Sequence, residues 1–310
     1  MSKPFRLIDT GVREGRSNIA FDAALIDARQ AGSVPDTMRF LRFPPTALIG
    51  RHQDLFAEVD LNYCNANGVG TVRRITGGGA IYLDEGQLGW ELVFHRASLG
   101  IAALPDVARE ICNAAAAGLG KLGVDARFRP RNDIEVDGRK ISGTGGFYDG
   151  DILIYQGTVL VDMNPQQMVK ALKIPESKLA KRKLDSAAER VVTLKELLGD
   201  TVPDIETIQR ALIAGFEEGL GISVTPGEIS AGEEQLAQQY FAEEIGTDDY
   251  VAEINNPAAD ANVLAGSHTG AGGTIDAFIK LEGPTQKRLQ RVLLSGDFFV
   301  TPPRTVFDLE

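Results

Sequence analysis

Between Ser17 and Gln30 the chain reads SNIAFDAALIDARQ, with apolar residues at 19–21 and 23–26. This spacing predicts an amphipathic helix capped at Ser17 or Asn18. Basic and apolar residues alternate from Arg39 to Phe43, and a further run, TALIG, ends at Gly50, so a first strand pair is expected to enter the core here. Leu88, Trp90, Leu92 and Phe94 alternate with Gly89, Glu91, Val93 and His95, the period of a half-buried strand with its bulk on one face. Pro105 to Leu122 returns to helical spacing, with proline in the expected first turn.

Further along, IEVDGRKIS predicts two short strands joined by Asp137-Gly138, a dipeptide that adopts positive φ at little cost in a two-residue hairpin. ILIYQGTVLVDM reads as another strand pair, and residues 164–198 as helical with a basic run from Lys178 to Lys183. Residues 206–254 read as mainly helical, and NNPAADANVLAGSHTGAGG after them as a mobile loop or linker. In the last part, two strand-like runs flank Gly283-Pro284, and VFDLE resembles the first turn of a helix.

Together these patterns predict an α/β (α+β) fold, a mixed sheet flanked by helices with a second, smaller α/β accessory domain. The boundaries expected are 1–200 for the main unit, 201–260 for a helical connection and 261–310 for the accessory unit. That last unit is expected to be truncated or to continue on further residues, and the glycine-rich segment 266–273 is a candidate hinge.

Composition narrows the class. With 43% hydrophobic and 24% charged residues in 310, the chain supports a substantial core. Its amino end has no apolar run of signal-peptide or membrane-span length, so a cytoplasmic protein without membrane contact is expected. Cys64 and Cys112 form no CxxC pattern, and His52, His95 and His268 stand far apart; neither a disulfide framework nor a preformed metal site is suggested. Residues 1–198 hold 26 Lys and Arg against 24 Asp and Glu, while residues 199–310 hold 6 against 19. The balance of +2 in the first part and −13 in the second disfavours nucleic-acid binding by the tail.

The stretch RRITGGGAIYLDEG, Arg73 to Gly86, carries the most chemistry. Three glycines remove every side chain from one turn, so backbone N–H groups can meet an anion closely. Arg73 and Arg74 add planar cationic donors suited to phosphate or carboxylate oxygens. Taken alone, a triple-glycine turn equally suits a plain loop.

In context, the run resembles the signature loop of lipoate-protein ligases and of the wider lipoate and biotin ligase superfamily. NIAFDAAL, ALIGRHQD, RNDIEVDGRKISGT, GTVLVDMN and RVVTLKELL extend the resemblance in order to about residue 198, and IDAFIKLEG and VLLSGDFF resemble the family's accessory domain. The resemblance implies a ligase that joins lipoate or octanoate to ATP as an acyl adenylate and passes the acyl group to a lysine of a lipoyl-domain or glycine-cleavage H-like protein. It implies Lys140 as the central catalytic residue. It places Arg73, Arg74, Thr76, Gly77, Gly78, Gly79, Ala80, Tyr82, Asn132, Asp133, Gly143 and Thr144 around lipoate and adenylate, with ATP and Mg2+ as cofactors and Asp133 as a candidate magnesium ligand.

Other roles remain open for some of these: turn capping for Asn132, close strand packing for Gly143 and Thr144, core packing for Tyr82, Trp90 and Phe94 as against lining an acyl tunnel. Two positions depart from the family pattern, Leu83 and Gln156, where many members carry histidine. An octanoyl or lipoyl transferase on the same fold, working through a cysteine thioester, is the nearest alternative. RFRPRNDIE, where such relatives place their nucleophile, contains no cysteine. A non-catalytic lipoyl- or biotinyl-binding regulator is the alternative from another class; it would not need Lys140 together with the intact arginine and glycine run.

Overall fold

The computed structural model describes residues 2–101, 103–130, 132–173, 190–257, 262–270, 272–283, 288–301 and 304–310. Its strands are β1 (Lys3–Val12), β2 (Thr37–Arg42), β3 (Thr46–Ile49), β4 (Gly70–Arg73), β5 (Ile81–Leu83), β6 (Gln87–His95), β7 (Arg127–Arg129), β8 (Asp133–Val136), β9 (Arg139–Asp149), β10 (Ile152–Leu160), β11 (Ile222–Pro226), β12 (Val263–Gly270), β13 (Gly273–Glu282) and β14 (Arg288–Gly296). The α-helices are α1 (Gly15–Gln30), α2 (Leu55–Glu58), α3 (Leu61–Asn67), α4 (Leu104–Gly120), α5 (Pro165–Ala171), α6 (Leu194–Leu198), α7 (Ile205–Leu220), α8 (Ala231–Tyr240), α9 (Asp248–Val251) and α10 (Thr305–Leu309). The basic run Lys178–Lys183 lies outside the described residues.

An eight-stranded mixed sheet in the order β11-β1-β2-β6-β10-β9-β8-β7 forms the centre, with helices on both faces. β1 pairs in parallel with β11 and β2, and the remaining neighbours run antiparallel. On one face α4 and α7 bury Ile111, Leu119, Leu212 and Phe216 against Trp90 and Phe94; on the other α1 and α8 cover Ile8, Val93 and Ile154. Burial on both faces explains why β6 is covered throughout except at His95, not half-buried as its alternation predicts. The bulky set Leu88, Trp90, Leu92 and Phe94 faces α4 and α7, while the small and polar set faces α1.

Several local expectations change. Glu14, not Ser17 or Asn18, caps α1, its side chain accepting from the Ser17 amide; Asn18 is buried and donates instead to the Arg13 and Arg42 carbonyls. β2 and β3 are not a pair: β3 lies in a separate sheet, β4-β3-β5. Residues 152–160 form one nine-residue strand rather than two, because β6 pairs with it along its whole length and β9 as far as Gly157. The Asp137-Gly138 hairpin is as predicted, with φ of 49° and 79°.

Residues 206–254, read as mainly helical, also supply β11, and α7 and α8 pack on α4 and α1. The segment read as a mobile linker instead contains β12, which pairs with β13 down to Gly270 and Gly273, so residues 266–270 of the candidate hinge are held in a strand ladder. β12, β13 and β14 make a three-stranded antiparallel sheet. No helix among the described residues is long and apolar enough to cross a membrane.

Candidate active site

A cavity of about 410 Å³ opens between the α1 face of the large sheet and the sheet β4-β3-β5. Its walls come from residues distant in sequence: Ile19 and Asp22 of α1, Leu48 of β3, Leu83 of β5, Gly89 of β6, Lys140 of β9 and Gln156 of β10. Ten of the residues expected at the site border it: Arg74, Thr76, Gly77, Gly79, Ala80, Tyr82, Asn132, Lys140, Gly143 and Thr144. Arg73, Gly78 and Asp133 stand behind the wall, each with a different task.

Lys140 sits just past the Asp137-Gly138 turn. Its backbone is fixed from outside the hairpin, with its N–H donating to Arg190 O and its carbonyl accepting from Val192 N. The ammonium reaches Asp133 at 2.8 Å and keeps a third of the side chain exposed (34%). A Cβ on Gly143 would stand 2.5 Å from Lys140 Nζ, so glycine at 143 is what lets this ammonium lie along the strand. Burial alone would raise the Asp133 carboxyl, but the Lys140 and Arg129 cations outweigh it and hold the group below the usual carboxylate range. Both carboxylate oxygens are occupied, one by Lys140 and the other by Arg129. Asp133 therefore does not fit a resident magnesium ion, and no group of three metal-binding side chains occurs among the described residues.

Asn132 and Thr144 lock together beside it. Thr144 N and Oγ1 both donate to Asn132 O, at 2.8 and 3.0 Å, and Asn132 Nδ2 returns a bond to Thr144 O at 3.0 Å. Thr144 Oγ1 also meets Tyr155 Oη at 2.8 Å, and Cys112 Sγ lies 3.4 Å from each hydroxyl. Cys112 is fully buried on α4, and burial pushes its thiol up. Cys64 is also fully buried, its thiol pushed up to about 11 by burial and by Asp60. Neither cysteine borders the cavity.

The two arginines turn inward. Arg73 donates to five backbone carbonyls, those of Gly50, Arg51, Gln53, Tyr250 and Val251, so it ties β4 to two remote segments instead of facing a ligand. Arg74 donates to Gly77 O at 2.7 Å and Gly79 O at 2.9 Å, bending the glycine turn around its guanidinium. Burial lowers both to about 10. Gly78, at φ 94°, adopts a backbone that favours glycine.

Tyr82 borders the cavity and its hydroxyl donates to Gln167. Trp90 also borders it, but its ring packs against Phe216 and Tyr155. Phe94 packs on Phe5 in the core. Aliphatic side chains supply much of the remaining wall: Leu41, Leu48, Leu83, Leu160, Met163 and Met168.

A buried polar cluster at Asp22 and Gln156 was not anticipated. Arg39 donates through Nη1 to Asp22 at 2.7 Å and to Glu91 at 3.0 Å, and through Nη2 to Asn18 at 2.6 Å. Gln156 Nε2 bridges the same two carboxylates at 2.7 Å each. Burial first, and Glu91 second, raise Asp22 well above the usual carboxylate range. Asp22, a lone acid inside the apolar run 19–26, and Glu91, alone among bulky neighbours, are the signals that sequence offered.

A last contributor comes from the far end of the chain. Phe299 borders the cavity, and Phe298 stacks on His52 with ring centroids 5.0 Å apart.

Residues 14–217 match the lipoyl protein ligase A/B catalytic domain. The octanoyltransferase LipM of Symbiobacterium thermophilum is 32% identical over 81% of this chain and 98% of its own length. Among solved structures, a bipartite lipoate protein ligase of Thermoplasma acidophilum, described with its E2 lipoyl domain, superposes with a TM-score of 0.71 at 28% identity, over 83% of this chain and all of that one. A lipoate-protein ligase A bound with ATP superposes with a TM-score of 0.70 at 28% identity, over 81% and 99%.

Proposed function

The chain belongs to the lipoyl protein ligase A/B catalytic-domain family, and from that premise we propose that it is an ATP-dependent lipoate-protein ligase. One observation carries the choice: Lys140 stands on the cavity wall with space cleared by Gly143, while both cysteines of the chain are fully buried and neither borders the cavity, Cys112 lying behind Thr144. A thioester relay needs a thiolate at the reacting carbon; activation by ATP needs a cation between two anions.

In this reading the acyl chain lies among the aliphatic walls and its carboxylate approaches the α-phosphorus of ATP beside Lys140. A carboxylate oxygen bonds to that phosphorus, the bond to the bridging oxygen breaks, and pyrophosphate leaves. The Lys140 ammonium stabilises the charge gathering on the phosphoryl oxygens. An acceptor lysine, as the free amine, then attacks the acyl carbon, releasing AMP and one proton and leaving an amide. Arg74 holds the glycine carbonyls inward, which leaves the opposite side of the turn to present N–H groups. Any magnesium would arrive on the nucleotide, since Asp133 is already paired. Residues 261–310 would act as the accessory unit. The acceptor is a lipoyl-domain or glycine-cleavage H-like protein, in keeping with the lipoyl domain described with the archaeal relative.

The likeness to an octanoyltransferase supports a second reading, acyl transfer from an octanoyl thioester without ATP. Incubation with lipoate and ATP separates them: lipoate-dependent pyrophosphate release is expected. ATP-independent octanoyl transfer to a lipoyl domain, without pyrophosphate, would overturn the ligase assignment.

A further inference from the structure

Where the glycine turn would present its amides, a protein group already stands. Phe298 O accepts from Gly78 N at 3.0 Å. The Phe299 ring covers the same place: a Cβ on Gly78 would lie 2.5 Å from Phe299 Cζ, and one on Gly145 would lie 2.9 Å from Phe299 Cε1. Two glycines on opposite sides of the opening, one from the turn and one from β9, thus make the slot that the ring occupies. Phe299 is nonetheless 43% exposed, so the slot leaves a large part of the residue open to solvent.

The segment is carried on β14 and anchored at its base. Gly296 N donates to His52 O at 2.9 Å, and Ser295 Oγ to Asn256 Oδ1 at 2.6 Å. Beyond it, Tyr148 N donates to Thr301 Oγ1 at 3.3 Å. Those contacts position the segment, and the Phe298 carbonyl and the Phe299 ring are its closest approaches to Gly78.

We propose that residues 297–299 are a resident occupant of the glycine turn, whose Phe298 carbonyl holds the Gly78 N–H and whose Phe299 ring closes the slot between Gly78 and Gly145, so that an acyl carboxylate or nucleotide phosphate engages the turn only as this segment withdraws. The inference rests on the ligase reading of the cavity. A carbonyl and an anionic oxygen compete for one N–H, and the anion makes the stronger bond. Ligand affinity is then reduced by the fraction of molecules in which the segment is withdrawn.

The test uses the full chain with octanoate and ATP. Amide exchange of residues 294–301 should accelerate on saturation, while the 74–83 stretch gains protection. Phe299→Ala should tighten octanoate binding about tenfold in calorimetry, because it raises the open fraction, and Phe299→Trp should weaken it. Unchanged or slower exchange in 294–301 with both ligands bound overturns the proposal, as does weaker or unchanged binding by Phe299→Ala, which would make the ring a plain wall. Both of those outcomes leave the ligase reading intact. Failure of wild type and Phe299→Ala alike to bind octanoate or ATP sinks that reading and this proposal with it.

Discussion

Lys140 Nζ lies 2.8 Å from Asp133 Oδ1, a diagonal contact across the β8–β9 hairpin, in which Asp133 pairs with Gly143 and Lys140 with Glu135. The pairing aligns the ammonium without burying it, and Arg129 shares the carboxylate. Lys140→Ala should leave the fold intact and abolish lipoate-dependent pyrophosphate release, by about 10³-fold or more. Wild-type-like release from this variant would remove Lys140 from the chemistry.

Gly143→Ala tests the same arrangement without touching a charge. The added methyl would stand 2.5 Å from Lys140 Nζ, and a flexible side-chain end yields before backbone does. The ammonium should therefore move and the fold persist. Adenylation should fall on the order of 10²-fold with melting temperature little changed. Activity equal to wild type would show that the ammonium's position is not selected by glycine.

Arg73 predicts the opposite pattern. Among the described residues it has no carboxylate partner within salt-bridge distance, and its donors are taken by five backbone carbonyls. Arg73→Met would leave several buried acceptors unsatisfied, at a cost on the order of 3–5 kcal/mol. Denaturant unfolding should show that loss. A variant of normal stability with weakened ligand binding would restore Arg73 to the ligand site that its sequence context suggests.

That contrast shows what sequence made legible. Periodicity found α1, α4, β6 and the Asp137-Gly138 hairpin, because each is set by local spacing. The cavity residues between 73 and 86 and between 132 and 144 were found because the motif lies in two continuous stretches. What two adjacent arginines do was not legible: Arg73 and Arg74 share a dipeptide, yet one serves segments near residues 50 and 250 and the other serves its own turn. Gln156 appeared only as a missing histidine, since its partners Asp22 and Glu91 are 134 and 65 residues away. Phe299 appeared only as the end of VLLSGDFF, a mark of the accessory unit, and its place at the cavity was not legible because it depends on where β14 delivers it.

Gln156 is expected to be a structural donor. Its Nε2 sits between two carboxylates that share one guanidinium. Gln156→Leu leaves those oxygens facing each other and should destabilise by roughly 2–4 kcal/mol. Burial, then Glu91, raises Asp22, so the folded chain holds that proton more tightly than the unfolded chain does. Stability is lost as pH rises above the unfolded value, and the deficit of the variant should grow in that direction. A deficit that grows as pH falls would reject this account of Asp22.

The cysteines give a direct contrast between the two functional readings. Cys112→Ala and Cys64→Ala remove fully buried side chains and should each cost on the order of 1–2 kcal/mol through lost packing, without loss of acyl transfer. Abolished transfer in either folded variant would favour a thioester route.

His52 should make the C-terminal docking acid-sensitive. The imidazole is 1% exposed, its Nδ1 has no partner among the described residues, and its ring stacks on Phe298. Burial first, then the Arg51 and Arg73 charges, lower it from 6.5 to about 4. The unfolded chain therefore binds this proton more readily than the folded one. The contribution is fully present above pH 6.5 and is lost as pH falls toward about 4, amounting to on the order of 2–3 kcal/mol. His52→Phe keeps an aromatic ring against Phe298 and removes the titration. Between pH 7 and 4.5 its melting temperature should fall less than that of wild type; parallel curves would show that protonation of His52 does not reach the fold.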